Sequence, residues 1–328
     1  MIRVDLDMTP LVQTRAGTAR YILGLRRELN QHAGVEIRDR SFGGSARAWN
    51  VPRDALWYPF VLGTTSASAD VLHCPTYRGP LHSRVPLVVT VHDLAVLREP
   101  QAFNRWSRRY GPFVVPRVVR GATFVIAVSE FTKREVVELL GVPAERVRVV
   151  PNGVEPVFTR AGPAARGDYV LTVGTLEPRK NVARVAEAAE MLGVELRVVG
   201  ERGWGHVDIG RNGVRWLGRL SDAALAEQYR GARCVAYPSL YEGFGIPVLE
   251  SMACGTPVVT SHAGATAEVA DGAAVLVEPR DPTAIADGIT QAVERRDELV
   301  ARGLERARGF TWARAAEETL AVYREAVA

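Results

Sequence analysis

The chain has 328 residues, room for about two domains of ordinary size, and its 47% hydrophobic, 24% charged and 7% aromatic content excludes a disordered or low-complexity protein. No apolar run approaches the roughly 20 residues that span a bilayer, and the opening Ile2-Arg-Val-Asp-Leu-Asp7 alternates like a strand rather than a signal peptide, so a cytoplasmic location is expected. The formal net charge of +4 is unevenly spread: residues 1–160 carry 22 basic and 14 acidic side chains and residues 161–328 carry 19 and 23, so the halves are expected to meet different partners.

In chain order, apolar β-rich runs alternate with helical patterns throughout, the mark of parallel sheets with helices on both faces. The first half predicts strands near 2–7, 70–73, 86–91, 123–128 and 146–150, with helices near 17–31, 102–119 and 129–140. The second predicts strands near 169–173, 195–199, 233–237, 257–260 and 274–277, with helices near 181–192, 221–230, 247–254, 282–294 and 311–326. Between the halves, residues 158–168 lack periodicity and are rich in Gly, Pro and Ala, as a linker is. Two open α/β domains joined there are expected to face each other across a cleft. Ligands of such sheets bind at the carboxyl ends of strands, so the loops that follow the strands are the ones to read.

In the first half, Thr14-Arg-Ala-Gly17-Thr-Ala-Arg20 follows the first strand and opens a helix, a turn that lets a phosphate approach Gly17. His92 ends the apolar strand Val88-Val-Thr-Val91, where a lone histidine is either a site member or a satisfied turn residue. In the second half, Gly174-Thr-Leu-Glu-Pro-Arg-Lys-Asn181 joins a strand to a helix for which Asn181 is the expected N-cap. Arg179 and Lys180 therefore stand beside a helix amino terminus and repel each other unless an anion joins them; a diphosphate fits, and a solvated basic turn is the plainer alternative. Of 41 basic residues 39 are arginine, so Lys180, one of two lysines with Lys133, stands out. Tyr241-Glu-Gly-Phe-Gly-Ile-Pro-Val-Leu-Glu250 follows another strand; Pro247 suits the first helical position, placing Ile246 at an N-cap that no local side chain fills. Gly243 and Gly245 allow close backbone approach to an anion, while Glu242 and Glu250 are expected to face the cleft and grip hydroxyls of one ligand. Neither G-x-G-x-x-G nor G-x-x-x-x-G-K-[ST] occurs, and Gly200-Glu-Arg-Gly203-Trp-Gly205 has the wrong spacing for a nicotinamide site. Cys74, Cys234 and Cys254 form no C-x-x-C pair and read as buried small hydrophobes, so no metal is expected.

The run from Glu242 to Glu250 (E-x7-E), Gly174 to Asn181, Val128-Ser-Glu-Phe-Thr132, Val150-Pro-Asn-Gly-Val154 and Ser251-Met-Ala-Cys-Gly-Thr-Pro257 together resemble the retaining glycosyltransferases of family 4, in particular their mannosyltransferase-B-like branch. The resemblance covers nearly the whole chain. It implies a GT-B fold of two Rossmann-like, doubly wound domains: an acceptor domain over 1–160, rejoined by a C-terminal helix over 315–328, and a nucleotide-sugar domain over 161–314. It implies a hexose, mannose from GDP-mannose foremost, passed from a nucleotide diphosphate sugar to a glycan or lipid-linked acceptor, with no nucleic acid, metal or other cofactor. Residue by residue, it puts Glu242 on the donor sugar, Glu250 on the nucleotide ribose, Lys180 and Arg179 on the diphosphate and His92 near the transferring sugar. The donor contacts it implies also include Gly17, Thr175, Gly243, Phe244, Gly245, Ile246 and Leu249. The chain departs from many members at Thr175, where they carry an arginine, and at Ala16-Gly17, where they carry paired glycines.

With no certain carboxylate nucleophile in view, front-face attack by the acceptor hydroxyl is the expected route to retention. Two other readings remain open on the sequence: a sugar-nucleotide epimerase or hydrolase of the same fold, which would turn over without an acceptor, and a non-catalytic nucleotide-sugar-binding subunit. A further expectation is peripheral membrane contact through residues 101–120, where Arg105, Arg108, Arg109, Arg117 and Arg120 alternate with Phe103, Trp106, Tyr110 and Phe113, in a helix that Pro112 and Pro116 are expected to interrupt.

Overall fold

The computed structural model describes residues 1–12, 17–100, 105–203, 205, 207, 209–210 and 212–328, apart from the side chains of Arg47, Arg105, Trp106, Ser107 and Tyr110. It forms two compact units, one of Met1–Gly153 with Thr311–Ala328 and one of Val154–Phe310. In the first, β1 (Ile2–Asp7), β2 (Val35–Arg40), β3 (Val71–Cys74), β4 (Leu87–Val91), β5 (Phe124–Ala127) and β6 (Val147–Val149) make a parallel sheet in the order β2-β1-β3-β4-β5-β6. In the second, β7 (Tyr169–Val173), β8 (Glu195–Val199), β9 (Val214–Gly218), β10 (Cys234–Tyr237), β11 (Val258–Ser261) and β12 (Val275–Val277) make another, in the order β12-β11-β10-β7-β8-β9. All three cysteines are buried within their units.

The inner strands show why this architecture follows from the residues. Every position of Leu87-Val-Val-Thr-Val91 and of Tyr169-Val-Leu-Thr-Val173 is buried, as a strand requires when helices cover both faces of its sheet. Such runs are visible without knowing their neighbours. The sequence reading omits β2 and β9, and both are edge strands. An edge is half open to water, so Val35-Glu-Ile-Arg-Asp-Arg40 is mostly charged and does not read as a core strand. Its arginines nonetheless have buried partners: the Nε atoms of Arg38 and Arg40 donate to the two oxygens of the wholly buried Asp5 at 2.8 and 2.7 Å.

The helix expected to break at Pro112 and Pro116 does not break, and Arg105–Gly121 is one helix with both prolines inside. Its inward face carries the buried Val114, Val115, Val118 and Val119. At about 1.5–3 kcal/mol each, their burial offsets the roughly 3 kcal/mol that an interior proline costs a helix. A second departure lies at residues 50–65, where the sequence reading assigns no element. The segment is helical, with a π-type stretch over Arg53–Val61. Its polarity is mixed: the buried Arg53 and Asp54 share the inward side with Trp57, Tyr58 and Leu62, whereas Val51, Leu56 and Phe60 are exposed. A helix whose charges point inward has no amphipathic pattern of the usual sense to detect.

The last helix, Trp312–Val327, belongs to the first unit, where it packs along helix Gly17–Leu29. Trp312, Ala316, Leu320 and Tyr323 recur at helical spacing and are buried in one cluster with Tyr21, Ile22 and Leu25. A buried polar chain pins it further. The Tyr323 hydroxyl meets His73 Nδ1 at 2.6 Å, His73 Nε2 meets Thr90 Oγ1 at 2.8 Å, and Thr90 meets the Tyr21 hydroxyl at 2.9 Å. Burial holds the His73 imidazole at about 3, far below its usual range, so it serves here as a neutral hydrogen-bonding group.

Candidate active site

In the second unit three loops at strand carboxyl ends are stitched together by Asn181. Its Nδ2 donates to the carbonyls of Pro238, just after β10, and Pro279, just after β12, at 2.9 and 2.5 Å. Asn181 does occupy the N-cap position of helix Val182–Met191, yet it does not cap with its side chain: Nδ2 is spent on those loops and Oδ1 accepts from Arg184 Nη1 at 2.9 Å. With its φ of 61° in the left-handed region it reverses the chain, and the single turn Pro178–Lys180 before it carries both cations. The Arg179 carbonyl accepts from the Leu240 N–H at 2.8 Å, tying this turn to the loop of Glu242. Two glycines make the approach feasible. At Gly174 (φ 152°) the Lys180 stem lies within 3.4 Å of where a Cβ would stand, and at Gly200 a Cβ would meet the Gly174 carbonyl oxygen at 1.9 Å.

The result is a compact charged cluster. Lys180 Nζ donates to Glu242 Oε1 at 2.5 Å and to the Tyr237 hydroxyl at 2.7 Å, and that hydroxyl donates to the same Oε1 at 2.9 Å. Arg179 donates to the other Glu242 oxygen at 3.3 Å, to the Tyr241 carbonyl at 3.3 Å and, through Nε, to Glu177 at 2.9 Å. Burial by itself would raise the Glu242 carboxyl, but the charges of Lys180 and Arg179 with the hydrogen bonds from Lys180 and Tyr237 hold it at about 2. Burial pushes the Lys180 ammonium below its usual range against the opposing pull of Glu242. Arg179, Lys180 and Glu242, chosen on sequence, are thus in direct contact.

Tyr237 and Glu177 are the members that sequence reasoning missed. The signal for Tyr237 was available: it is a hydroxyl-tipped residue at the carboxyl end of an otherwise apolar inner strand.

The helix after Glu242 starts one residue earlier than expected, as Ile246–Ala253, so the N-cap is Gly245 with φ 106° and Pro247 is the second helical residue. A glycine is needed because a left-handed cap suits few other residues, and no side chain bonds the first turn. Glu250 has different surroundings from Glu242. It is buried, and one of its oxygens accepts from the Tyr229 hydroxyl at 2.9 Å. Gly243, Phe244 and Gly245 are buried and Ile246 and Thr175 partly so. Leu249 is wholly buried, and Phe244 packs edge-on to Phe310. Behind this helix lies Arg296–Arg308, which the sequence reading omits, with Gly303 against Met252.

His92 and Gly17 belong to the first unit. The His92 Nε2 donates to the Pro75 carbonyl at 3.0 Å, and its ring meets Tyr21 edge-on. Burial lowers its imidazole, so the ring is neutral and its Nδ1 is the acceptor. Gly17 is exposed at the first position of helix Gly17–Leu29; Thr14 to Ala16 of that turn lie outside the described residues.

Two family models match consecutive parts of the chain, Glycosyltransferase Family 4 over residues 15–158 and Glycosyl transferases group 1 over residues 158–309. O-antigen chain mannosyltransferase B of Escherichia coli is 32% identical over 283 residues, covering 77% of this chain and 74% of that protein. A D-inositol 3-phosphate glycosyltransferase of Acidothermus cellulolyticus is 33% identical over 313 residues, covering 84% and 69%. In fold the chain is similar to Anabaena HepE, solved in complex with UDP-glucose, with a TM-score of 0.75 at 19% identity over 99% of this chain and 100% of that one.

Proposed function

The chain belongs to glycosyltransferase family 4 and has the GT-B fold, and from that premise we propose that it is a retaining, metal-independent hexosyltransferase taking its sugar from a nucleotide diphosphate donor, GDP-mannose foremost. The observation that carries this reading is the cluster of Lys180, Arg179, Tyr237 and Glu242 at the carboxyl ends of β7 and β10. The mannosyltransferase named among the relatives supports the sugar, and the UDP-glucose held by HepE supports the donor class.

Cleaving a sugar–phosphate bond places positive charge on the anomeric carbon and negative charge on the departing diphosphate. Lys180 and Arg179 stabilise the diphosphate from fixed positions, and such preorganised electrostatics is usually the largest catalytic contribution. Glu242 holds the sugar hydroxyls, and Glu250, oriented by Tyr229, holds the ribose. The acceptor, a glycan or a lipid-linked one, is held by the first unit, where neutral His92 offers Nδ1 to a hydroxyl. The acceptor oxygen attacks from the face the diphosphate leaves, and a diphosphate oxygen takes its proton. A thermal-shift screen of GDP-mannose, UDP-sugars and their diphosphates tests the donor class: a ligand at about 100 times its Kd adds about 2.7 kcal/mol. No shift with any of them would overturn it. Turnover of the donor without an acceptor would favour an epimerase or hydrolase.

Glu250→Ala is expected to weaken donor binding about tenfold or more, since hydrogen bonds to a charged group are worth about 1.5–3 kcal/mol, with kcat at saturating donor little changed. The variant also deprives the buried Tyr229 hydroxyl of an acceptor, so its melting is measured alongside. Unchanged donor affinity in a folded variant removes Glu250 from the ribose.

Peripheral membrane contact is part of the same proposal. No helix among the described residues is long and apolar enough to cross a membrane. Of the stretch at 101–120, residues 101–104 and the side chains of Arg105, Trp106 and Tyr110 lie outside the described residues. Phe113 is exposed with Arg117 over its ring at 3.6 Å, and the exposed Val51, Leu56 and Phe60 add apolar surface to the same basic unit. Each cation near an anionic surface contributes about 1 kcal/mol. Vesicles rich in anionic lipid should therefore bind the protein at low salt and release it as salt screens the charge. Equal binding to neutral and anionic vesicles, or binding to neither, makes a soluble acceptor the better reading.

A further inference from the structure

The charged cluster is balanced before any donor arrives. Glu177 and Glu242 face Arg179 and Lys180, two carboxylates against two cations, and their side chains are all largely enclosed. Glu242 is fully engaged by this arrangement: one oxygen takes Lys180 and Tyr237, the other takes Arg179. A phosphate brought within hydrogen-bond reach of Lys180 Nζ would approach a carboxylate oxygen that lies only 2.5 Å from that nitrogen. Two anions on one ammonium in an enclosed site repel strongly.

We infer that Glu242 is a place-holder for the donor phosphate: its carboxylate occupies Lys180 and Arg179 until the diphosphate displaces it, and only a ligand carrying a sugar offers it new hydrogen-bond donors. This rests on the donor reading given above and adds a selectivity to it. A bare nucleoside diphosphate must evict the carboxylate without recompense, whereas a nucleotide sugar supplies hydroxyls to which Glu242 turns. The free diphosphate product is thereby held less tightly than the donor. The Tyr237 hydroxyl, donating to Glu242 and accepting from Lys180, fixes the closed arrangement.

The experiment is calorimetric titration of the wild-type protein and of Glu242→Gln with GDP, UDP and inorganic pyrophosphate, alongside GDP-mannose and UDP-glucose. Glutamine keeps the shape and removes the charge. The variant is expected to bind pyrophosphate and its better nucleoside diphosphate about tenfold more tightly than the wild type, and to lose the wild type's preference for the sugar-bearing ligand, while transfer falls. That direction is opposite to the loss expected on removing an ordinary binding residue. Diphosphate affinity that is unchanged or weaker in a variant with wild-type melting overturns the place-holder role while leaving the donor reading intact. Glu242→Ala provides the second variant and must move diphosphate affinity in the same direction. A wild-type protein that binds neither diphosphates nor nucleotide sugars overturns the donor reading and this inference with it.

Discussion

Lys180→Ala is expected to lower the rate of sugar transfer about 10²- to 10³-fold at saturating donor, equivalent to about 2.7–4 kcal/mol of lost transition-state stabilisation, while the protein keeps its fold. The rate effect follows from position. Lys180 is a cation in the turn that follows β7, and on the proposed reading the charge it opposes grows only as the sugar–phosphate bond breaks. The fold is expected to survive because Glu242 retains Arg179 and the Tyr237 hydroxyl, so no buried carboxylate is stranded without a partner. Glu242→Ala is expected to reduce transfer to a similar degree by releasing the sugar. Losing the Lys180 charge raises the Glu242 carboxyl from the value of about 2 it has beside that cation. Alanine carries no group that titrates, so the deficit of the Lys180 variant should not recover anywhere in pH 5–8. Initial rates across it, with melting curves for each variant, check the result. Transfer within a few-fold of wild type in a folded Lys180→Ala protein would remove Lys180 from the chemistry.

Trp312→Ala is expected to cost about 3–5 kcal/mol of stability, a large share of the 5–15 kcal/mol that holds a typical domain folded. Trp312 is the first residue of the C-terminal helix, almost wholly buried beside Tyr21. The indole lies over Gly24, where a Cβ would stand 2.5 Å from its ring, and a Cβ at Gly153 would stand 2.3 Å from the Trp312 backbone nitrogen. Truncation leaves a cavity between two helices that the glycine cannot fill. The partner substitution, Gly24→Ala, sharpens the test because helix propensity alone would make it stabilising by about 1 kcal/mol. The collision with the indole reverses that sign, and a destabilised Gly24→Ala is expected. Urea unfolding of both variants measures this; a Trp312→Ala loss below about 1 kcal/mol would show that the helix docks without its tryptophan.

The sequence by itself determined the inner strands of both sheets, because burial on both faces demands short, nearly unbroken apolar runs that read as such without knowledge of their neighbours. It also singled out three charged side chains that the fold brings into contact. Arg179, Lys180 and Glu242 are charged residues in loops that directly follow such strands, and that placement is local information. What only the tertiary structure decided depends on partners remote in the chain. Tyr237 shows a hydroxyl at a strand's carboxyl end, but the partner that claims it, Lys180, 57 residues away, is visible only in the fold. Asn181 reads as a helix cap until the carbonyls of Pro238 and Pro279 claim its side chain. Strand β2 reads as a charged loop until the buried Asp5 of β1 gives Arg38 and Arg40 something to bind. Gly24 reads as a flaw in a helix until an indole from the far end of the chain rests on it. In each case the residue's local preference is weak or contrary, and the energy that sets its conformation comes from a contact that exists only once the sheets and helices have assembled.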